Sequence, residues 1–347
     1  MKKKINVLLV GLGSIGQRHL RNLSTIFGEK IRFFAYRKKN KKILLNNFGD
    51  KIKGNVEKKY KIILIRDLEK LDNNKIDIVF ITNPSSLHIQ TIIKFKKFKN
   101  KYFFIEKPLD STLDKYDKFI NFIKKKKIET FIGYNLRFHP CVKKAKEILN
   151  KRNKLGKILQ AQFYYGDNLK NWHKYENYKT SYASNKKLGG GIVLSAIHEF
   201  DLMFALFENA QIIQSYNDHL SDLKINVEDF SISVFKNNYR KNKIISVVML
   251  NFFQLNKERY VKIIFEKGLI YLDLLKFKVS LFEKDKFKHF QYKKNNNLMY
   301  LNELKFFLSF YQNKKKIPKE FNYINGLKTL KLALKVKNYN LRKLKIK

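Results

Sequence analysis

Short apolar runs alternate with helically spaced apolar positions through the first third of the chain. The runs at 5–10, 31–36, 76–81 and 102–105 have the length and composition of buried strands, and positions 14–27 have the spacing of a helix. Strands that alternate with helices in this way are typical of a parallel sheet with helices on both faces. The pattern therefore predicts an α/β protein that begins with a doubly wound parallel sheet.

The pattern changes after about residue 125. Apolar runs then follow one another with few helices between them, at 158–165, 210–216, 230–235, 244–253, 260–265, 269–274 and 279–282. This succession predicts one large, mostly antiparallel, open sheet. Helical spacing returns at 191–207, 297–311 and 323–341. We therefore expect two domains, residues 1–125 and residues 126–347, the second also of the α/β class.

Composition and the first residues of the chain bear on whether the protein is folded and on where in the cell it is found. Hydrophobic residues make up 44% of the chain, which excludes disorder over most of its length, and no apolar stretch approaches the roughly 18 residues that span a bilayer. The first residues imitate a signal peptide, but glycines interrupt the apolar run and no small-residue cleavage site follows. A single cysteine, Cys141, cannot form an internal disulfide. We expect a cytoplasmic protein without a membrane partner.

The net charge of +45 suggests a partner such as a nucleic acid or an anionic surface. However, 64 of the 74 basic residues are lysines, whereas bidentate recognition of phosphates and bases favours arginine. Lys, Asn, Ile, Phe and Tyr are all abundant and share AT-rich codons, and the lysines are spread along the whole chain. We therefore attribute the charge to base composition and expect no specific nucleic-acid partner, with polyanion binding as a minor hypothesis.

A glycine-rich motif follows the first predicted strand and opens the first predicted helix. Gly11, Gly13 and Gly16 form the spacing GxGxxG, with Ser14 and Ile15 before the last glycine. Glycines at these positions permit a tight turn, a close approach of a pyrophosphate to the backbone and close helix packing, and the helix N-terminus offers free N–H groups. The motif in this context predicts a Rossmann domain that binds a dinucleotide.

The residue that recognises the adenosine ribose lies at the end of the second strand in such domains. NAD-binding chains place a carboxylate there, for the ribose 2′-hydroxyl. This chain has Tyr36, Arg37 and Lys38 instead. A guanidinium in place of a carboxylate favours the 2′-phosphate, so we predict NADP as the preferred cofactor and NAD as the other choice. The alternative is that Arg37 belongs to the general basic surface.

Four further motifs follow in order along the chain. Residues 82–88 (TNPSSLH) and 106–108 (EKP) come directly after predicted parallel strands, where open α/β sheets bind ligands. Residues 135–140 read NLRFHP, and three glycines at 189–191 precede His198 and Asp201. Together with the glycine motif, these segments resemble the Gfo/Idh/MocA oxidoreductase family over essentially the whole chain.

The resemblance implies a Rossmann domain followed by an α/β domain whose open sheet forms the interface of a homodimer or homotetramer. It also implies hydride transfer between a nicotinamide and a carbinol carbon of a sugar, nucleotide-sugar or polyol. By this resemblance Lys107 is the catalytic lysine and His198 the acid/base, which suits an imidazole near neutral pH beside an ammonium that holds the oxygen. The residues that it places at the nicotinamide end are Thr82, Asn83, Pro84, His88 and Glu106.

One departure from the family pattern concerns the partner of His198. The common pattern has Asp four residues earlier, where this chain has Leu194, and some relatives have Asp three residues earlier, where it has Ser195. An imidazole without its carboxylate lacks an orienting group and a source of raised pKa. Glu199 or Asp201 could substitute. The departure keeps a second hypothesis open, a redox-inactive dinucleotide-binding sensor or regulatory protein.

An aromatic segment, residues 164–182, precedes the glycine run and carries the only tryptophan. It is similar to a segment of relatives associated with bacterial surface glycans, and its rings and polar groups suit a sugar, although packing of a long loop explains them equally well. The predicted substrate contacts are Arg137, Trp172, His173, Tyr178, Lys179 and Ser195. His198-Glu199 matches half of a zinc-protease motif, but no second histidine follows, so we expect no metal.

Overall fold

The computed structural model describes residues 4–37, 42–99, 101–151, 155–172, 175–284 and 286–339. Their strands are β1 (Ile5–Val10), β2 (Ile31–Tyr36), β3 (Ile43–Leu45), β4 (Lys51–Asn55), β5 (Ile63–Ile65), β6 (Ile78–Ile81), β7 (Tyr102–Glu106), β8 (Glu129–Gly133), β9 (Ile158–Asn168), β10 (Ala210–Asp218), β11 (Phe230–Tyr239), β12 (Asn242–Asn251), β13 (Phe253–Phe265), β14 (Gly268–Asp273), β15 (Lys278–Glu283) and β16 (Lys286–Gln291). Their α-helices are α1 (Ser14–Phe27), α2 (Val56–Lys59), α3 (His88–Ile92), α4 (Tyr116–Lys126), α5 (Pro140–Asn150), α6 (Ile192–Ser195), α7 (His198–Leu206), α8 (Leu298–Gln312) and α9 (Tyr323–Lys337).

The N-terminal sheet is parallel throughout and has the strand order β5-β2-β1-β6-β7-β8. The chain builds outward from β1 on one side and then returns to build from β6 on the other. The order therefore reverses between β1 and β6, and the loops that leave these two strands diverge to form a crevice at their carboxyl ends. The predicted doubly wound sheet is confirmed, and the glycine motif lies at this crevice.

Helix α8 packs on the parallel sheet although it comes from the end of the chain. Its Phe307 contacts Phe80, Phe104 and Phe131, whose rings lie on three adjacent strands of that sheet. Asn297, just before the helix, exchanges hydrogen bonds with Asn22 of α1. The sheet also takes its last strand from residues 129–133, beyond the predicted boundary at residue 125. A single cut in the sequence therefore does not separate the two structural units.

The second sheet has the order β10-β11-β12-β9-β13-β14-β15-β16. All neighbours in it are antiparallel except β12 and β9, which confirms the large, mostly antiparallel sheet. Helices α5, α6, α7 and α9 pack against one face of it. Inward residues such as Phe163, Val248 and Val261 are buried there, and the other face is open.

Several short elements have no clear signal in the apolar pattern. These are the β3–β4 hairpin, the single-turn α2, and β5, which has only three residues. The predicted helix at 191–207 is two helices, because Ala196 leaves the helical conformation at φ −98° and ψ 30°. Its start is Gly191, at φ +104°, a conformation that a side chain rarely adopts.

Within the described ranges, no single helix has both the length and the apolar composition to cross a membrane. The segments 186–195 and 198–206, which meet at a bend of 44°, satisfy that test only when taken together.

Candidate active site

The turn between β1 and α1 is built around its glycines. Gly11 has φ +98°, and a Cβ there would lie 2.9 Å from the backbone nitrogen of Asn83. A Cβ on Gly16 would collide with the carbonyl of Gly11 and lie 2.9 Å from Oγ1 of Thr82. A Cβ on Gly13, in contrast, would meet no atom within 4 Å. Gly11 and Gly16 therefore serve internal packing, whereas Gly13 faces open space that a ligand can approach.

The N-terminus of α1 beside this space suits an anion. Ser14 and Ile15 begin the helix, whose first turn has no acidic residue and no side-chain cap. The hydroxyl of Tyr175 lies beside the backbone of Ser14, and burial raises the pKa of this group to about 12. The turn and the helix start fit a dinucleotide.

The loops after β6 and β7 are tied to this turn and to each other. The hydroxyl of Thr82 donates to the carbonyl of Gly11, 2.8 Å away. The two ring nitrogens of His88 lie 2.9 Å from the carbonyl oxygen of Pro108 and 2.8 Å from that of Asn83. Burial lowers the pKa of His88, and its side chain is enclosed. His88 was expected to line the nicotinamide end, and the structure instead gives it the role of joining two loops.

Asn83 and Pro84 complete the loop after β6. The side-chain amide of Asn83 donates to Oγ1 of Thr91, and Pro84 precedes a short 3-10 turn at 85–87. The side-chain oxygen of Asn83 is buried and has no hydrogen-bond partner among the described residues. This oxygen is therefore free to accept from a ligand in the crevice.

Glu106 connects the end of β7 with α1. Its Oε1 lies 2.6 Å from Nε2 of His19, which is fully buried and packs edge-on against Phe104. Its Oε2 accepts a hydrogen bond of 3.3 Å from the backbone N–H of Lys107. The carboxylate thus fixes the backbone at the position from which Lys107 extends.

Lys107 reaches from the parallel sheet to the second domain. Its Nζ donates to the carbonyl oxygen of Ser195 at the end of α6, at 2.9 Å. Burial lowers the pKa of Lys107 to about 8, a shift that Arg259 increases and that Glu106 and Glu199 oppose. The ammonium therefore carries its charge at neutral pH but releases its proton far more readily than an exposed lysine.

His198 begins α7, just after the bend that follows Ser195. Its side chain is 8% exposed, and its Nδ1 has no hydrogen-bond partner within the described residues. Burial, together with the positive charges of Lys107 and Arg259, holds the pKa of His198 well below its usual range. The imidazole is therefore neutral at neutral pH, which is the form that accepts a proton. The buried hydroxyl of Ser195 likewise has no partner there.

The two carboxylates considered as partners of His198 are both engaged elsewhere. Glu199 forms an ion pair with Arg259, with 2.7 Å between Oε1 and Nε, although burial raises the pKa of the Glu199 carboxyl. Asp201 accepts two hydrogen bonds of 2.7 Å from Arg137 and one of 2.9 Å from Asn325. Neither substitutes for the carboxylate missing from the position of Ser195.

The geometry corrects the expectation that Arg137 contacts a substrate. Its third donor nitrogen binds the carbonyl oxygen of Glu320 at 2.7 Å, so Asp201 and Glu320 together take up the fork of the guanidinium. The residue is 8% exposed, and Asp201 is 1% exposed. Arg137 is a buried structural cross-link between the segment after β8, helix α7 and the loop before α9.

The other candidates of the aromatic segment are dispersed. Trp172 packs edge-on against Phe252, with ring centroids 5.1 Å apart, in agreement with the loop-packing alternative. Tyr178 is partly buried against the main core, and Lys179 is exposed, on an open cavity of about 540 Å³ formed with residues 219 and 221–226. His173 lies outside the described residues.

An acidic residue that the sequence pattern does not reveal lies beside Arg37. Arg37 follows β2 and pairs with Glu57 of α2, through Nη2 and Oε1. Gly11 donates its backbone N–H to the carbonyl of Tyr36, at 3.0 Å, so this ion pair adjoins the glycine turn. The apolar pattern predicted neither α2 nor the hairpin before it, so it could not place Glu57 beside Arg37. Within the described ranges no group of three or more His, Cys, Asp or Glu residues could hold a metal.

Comparison with known proteins agrees with this geometry. Residues 5–134 match the family model described as "Oxidoreductase family, NAD-binding Rossmann fold" (GFO_IDH_MocA). This N-terminal part of the chain, rather than the chain as a whole, is therefore similar to the Gfo/Idh/MocA oxidoreductase family. Its fold also resembles that of levoglucosan dehydrogenase in complex with NADH, with a TM-score of 0.78, 16% identity and 96% of each chain covered.

Two curated relatives show similarity in sequence. The chain is 30% identical to "Uncharacterized oxidoreductase YrbE" of Bacillus subtilis over 149 residues, which are 43% of this chain and 41% of that one. It is 31% identical to myo-inositol 2-dehydrogenase of Thermotoga maritima over 139 residues, which are 40% of this chain and 39% of that one. The chain thus spans about two fifths of the length of these relatives.

Arg137→Met tests the structural role of this arginine. The substitution removes the charged partner of the buried Asp201 carboxylate and leaves it only the amide of Asn325. We expect the free energy of unfolding to fall by about 3–5 kcal/mol in a denaturant titration. Arg32→Met, at an exposed position on β2, should change it by less than about 0.5 kcal/mol. Unchanged stability together with a raised KM for a substrate would instead make Arg137 a substrate contact.

Proposed function

We propose that the protein is a nicotinamide-dependent oxidoreductase that acts on a carbinol carbon of a sugar, nucleotide-sugar or polyol. The observation that carries this proposal is the hydrogen bond of Lys107 to the end of α6, which brings a lysine of lowered pKa near a neutral His198 whose Nδ1 has no partner among the described residues. The names of the relatives, myo-inositol 2-dehydrogenase and levoglucosan dehydrogenase, support a substrate of this class.

In this proposal two side chains handle the hydroxyl of the substrate. When bound, an oxidised nicotinamide supplies the acceptor for the hydride that leaves the carbinol carbon. The hydroxyl proton passes to the neutral imidazole of His198, and the C–O bond becomes a carbonyl. The Lys107 ammonium stabilises the negative charge that develops on the oxygen. Ser195 fixes Lys107 through its carbonyl, and its hydroxyl is available to a neighbouring substrate hydroxyl.

The cofactor site in the proposal is the crevice between β1 and β6. Gly13, Ser14 and Ile15 hold the pyrophosphate, and Thr82, Asn83, Pro84 and Glu106 surround the nicotinamide end, whereas His88 acts through the loops that it joins. Arg37 supports NADP as the preferred cofactor, with NAD as the other. Trp172, His173, Tyr178 and Lys179 remain predicted substrate contacts from the aromatic segment.

Gly13→Val separates cofactor binding from folding. A side chain at this position meets no protein atom but fills the open space above the turn, so we expect an unchanged thermal midpoint and a loss of NADH and NADPH binding of at least about tenfold. Titration of nicotinamide fluorescence measures both affinities. Arg32→Val, at an exposed position on β2 outside the motif, is the control and should change neither affinity.

Two results would count against the cofactor site. If wild-type protein binds neither nucleotide, the glycine turn is only architecture and the proposed function fails. If both nucleotides bind but no sugar, nucleotide-sugar or polyol in a broad panel is turned over, the redox-inactive binding protein becomes the better description.

The pH dependence of turnover separates the roles of Lys107 and His198. Lys107 is protonated below its pKa of about 8, so the rate of alcohol oxidation should fall as the pH rises through about 8. Lys107→Met should lower kcat by about 10²–10⁴-fold and remove this dependence, whereas Lys124→Met, at an exposed position on α4, should leave the dependence unchanged. A rate that rises across the same range would show instead that the Lys107 amine is the base.

The open face of the second sheet supports a homodimer or homotetramer. It exposes Tyr216, Ile245 and Phe282 to about 40% each, and it carries the stacked rings of Tyr164 and Tyr260, 5.0 Å apart. A contiguous apolar face of this kind is typical of an interface between subunits.

Light scattering measures the oligomeric state directly. We expect a mass that is two or four times 41.5 kDa, and Ile245→Asp should shift it toward the monomer because it places a charge in the interface. Gln160→Asp, on the neighbouring strand, is the control. It should shift the mass less than Ile245→Asp does, because the residue it replaces is already polar. A monomeric wild-type protein would contradict the proposed interface.

A further inference from the structure

The end of β2 lacks the carboxylate that NAD-binding chains have there, but a carboxylate from α2 lies next to Arg37 in the structure. Glu57 comes twenty residues after Arg37 and forms an ion pair with its guanidinium. The Arg37 side chain is 9% exposed and that of Glu57 is 15% exposed, so water screens the pair little. The guanidinium that favours a 2′-phosphate is therefore already neutralised by a group from another element.

The position of Glu57 is fixed by its surroundings. Asn55 caps α2, with its Oδ1 accepting the backbone N–H of Glu57 at 2.8 Å. The hairpin that leads into α2 is in turn fastened to α1, because Gln17 donates to the carbonyl of Ile43 and accepts from the N–H of Leu45, both at 2.9 Å. Hydrogen bonds therefore connect the segment that carries Glu57 to α1, the helix that follows the glycine turn.

The two members of the pair favour different nucleotides. A 2′-phosphate beside Arg37 would be attracted by the guanidinium and repelled by the Glu57 carboxylate. A 2′-hydroxyl would meet a carboxylate acceptor, which is the group that NAD-binding Rossmann domains place at the end of the second strand. Here that acceptor comes from α2.

We propose that Glu57 is a specificity-determining residue that limits the preference of Arg37 for NADP and allows the protein to bind NAD. This inference rests on the proposed cofactor site and adds the residue that decides between the two cofactors. Removal of the carboxylate ends its repulsion of the 2′-phosphate, and removal of the guanidinium leaves Glu57 to repel that phosphate.

The test compares the dissociation constants of NADH and NADPH, measured by nicotinamide fluorescence and calorimetry at fixed ionic strength. For Glu57→Gln, which preserves size and removes the charge, we expect the preference for NADPH over NADH to rise at least about tenfold. For Arg37→Gln we expect it to fall by a similar factor. Glu69→Gln, at an exposed carboxylate paired with Lys96, is the matched control and should leave the ratio unchanged.

Each outcome has a separate meaning. If Glu57→Gln binds NADH with wild-type affinity and shows the wild-type ratio, the inference is overturned and the proposed function stands. If wild-type protein binds neither nucleotide, the cofactor site and the inference fall together. A thermal midpoint is measured for each variant to show that it folds. If Glu57→Gln fails to fold, Glu57→Asp is measured instead; it keeps the charge and should show the wild-type ratio of NADPH to NADH affinity.

Discussion

The hydrogen bond from the Lys107 ammonium to the Ser195 carbonyl connects the two halves of the molecule at its candidate active site. Lys107 stands at the end of a strand of the parallel sheet, and Ser195 ends a short helix that packs on the other sheet. The bond requires the carboxyl end of β7 and the bend after α6 to meet. The same bend brings His198 near the lysine, so one contact defines the geometry on which the proposed chemistry depends.

Carboxylates around this contact form their pairs with groups other than the lysine and the histidine. Three neighbouring carboxylates have partners of their own: Glu106 has His19, Glu199 has Arg259 and Asp201 has Arg137. Removing one member of such a buried pair is costly, which holds the carboxylates in place. None of them is committed to Lys107 or His198, and burial therefore lowers the pKa of both groups. This combination suits an oxygen-holding cation beside a neutral proton acceptor.

The sequence predicted those features that depend on local pattern. The glycine turn and the two sheets follow from apolar runs and short motifs, whereas Lys107 and His198 were singled out by the family resemblance. What could not be predicted depends on contacts between distant segments: the return of α8 to the parallel sheet, the use of Arg137 by Asp201, and the ion pair of Arg37 with Glu57. The hairpin before α2 has no strong apolar period, so the sequence pattern could not place Glu57 beside Arg37.

The most direct measurement is the pKa of Lys107 in the folded protein. Reductive methylation with ¹³C-formaldehyde gives each lysine an NMR signal, and the spectrum of Lys107→Met identifies the signal that belongs to this residue. A titration should give a value of about 8, well below the range of the exposed lysines. A value near 10.5 would mean that the ammonium is hydrated and would contradict a buried lysine held between the two sheets.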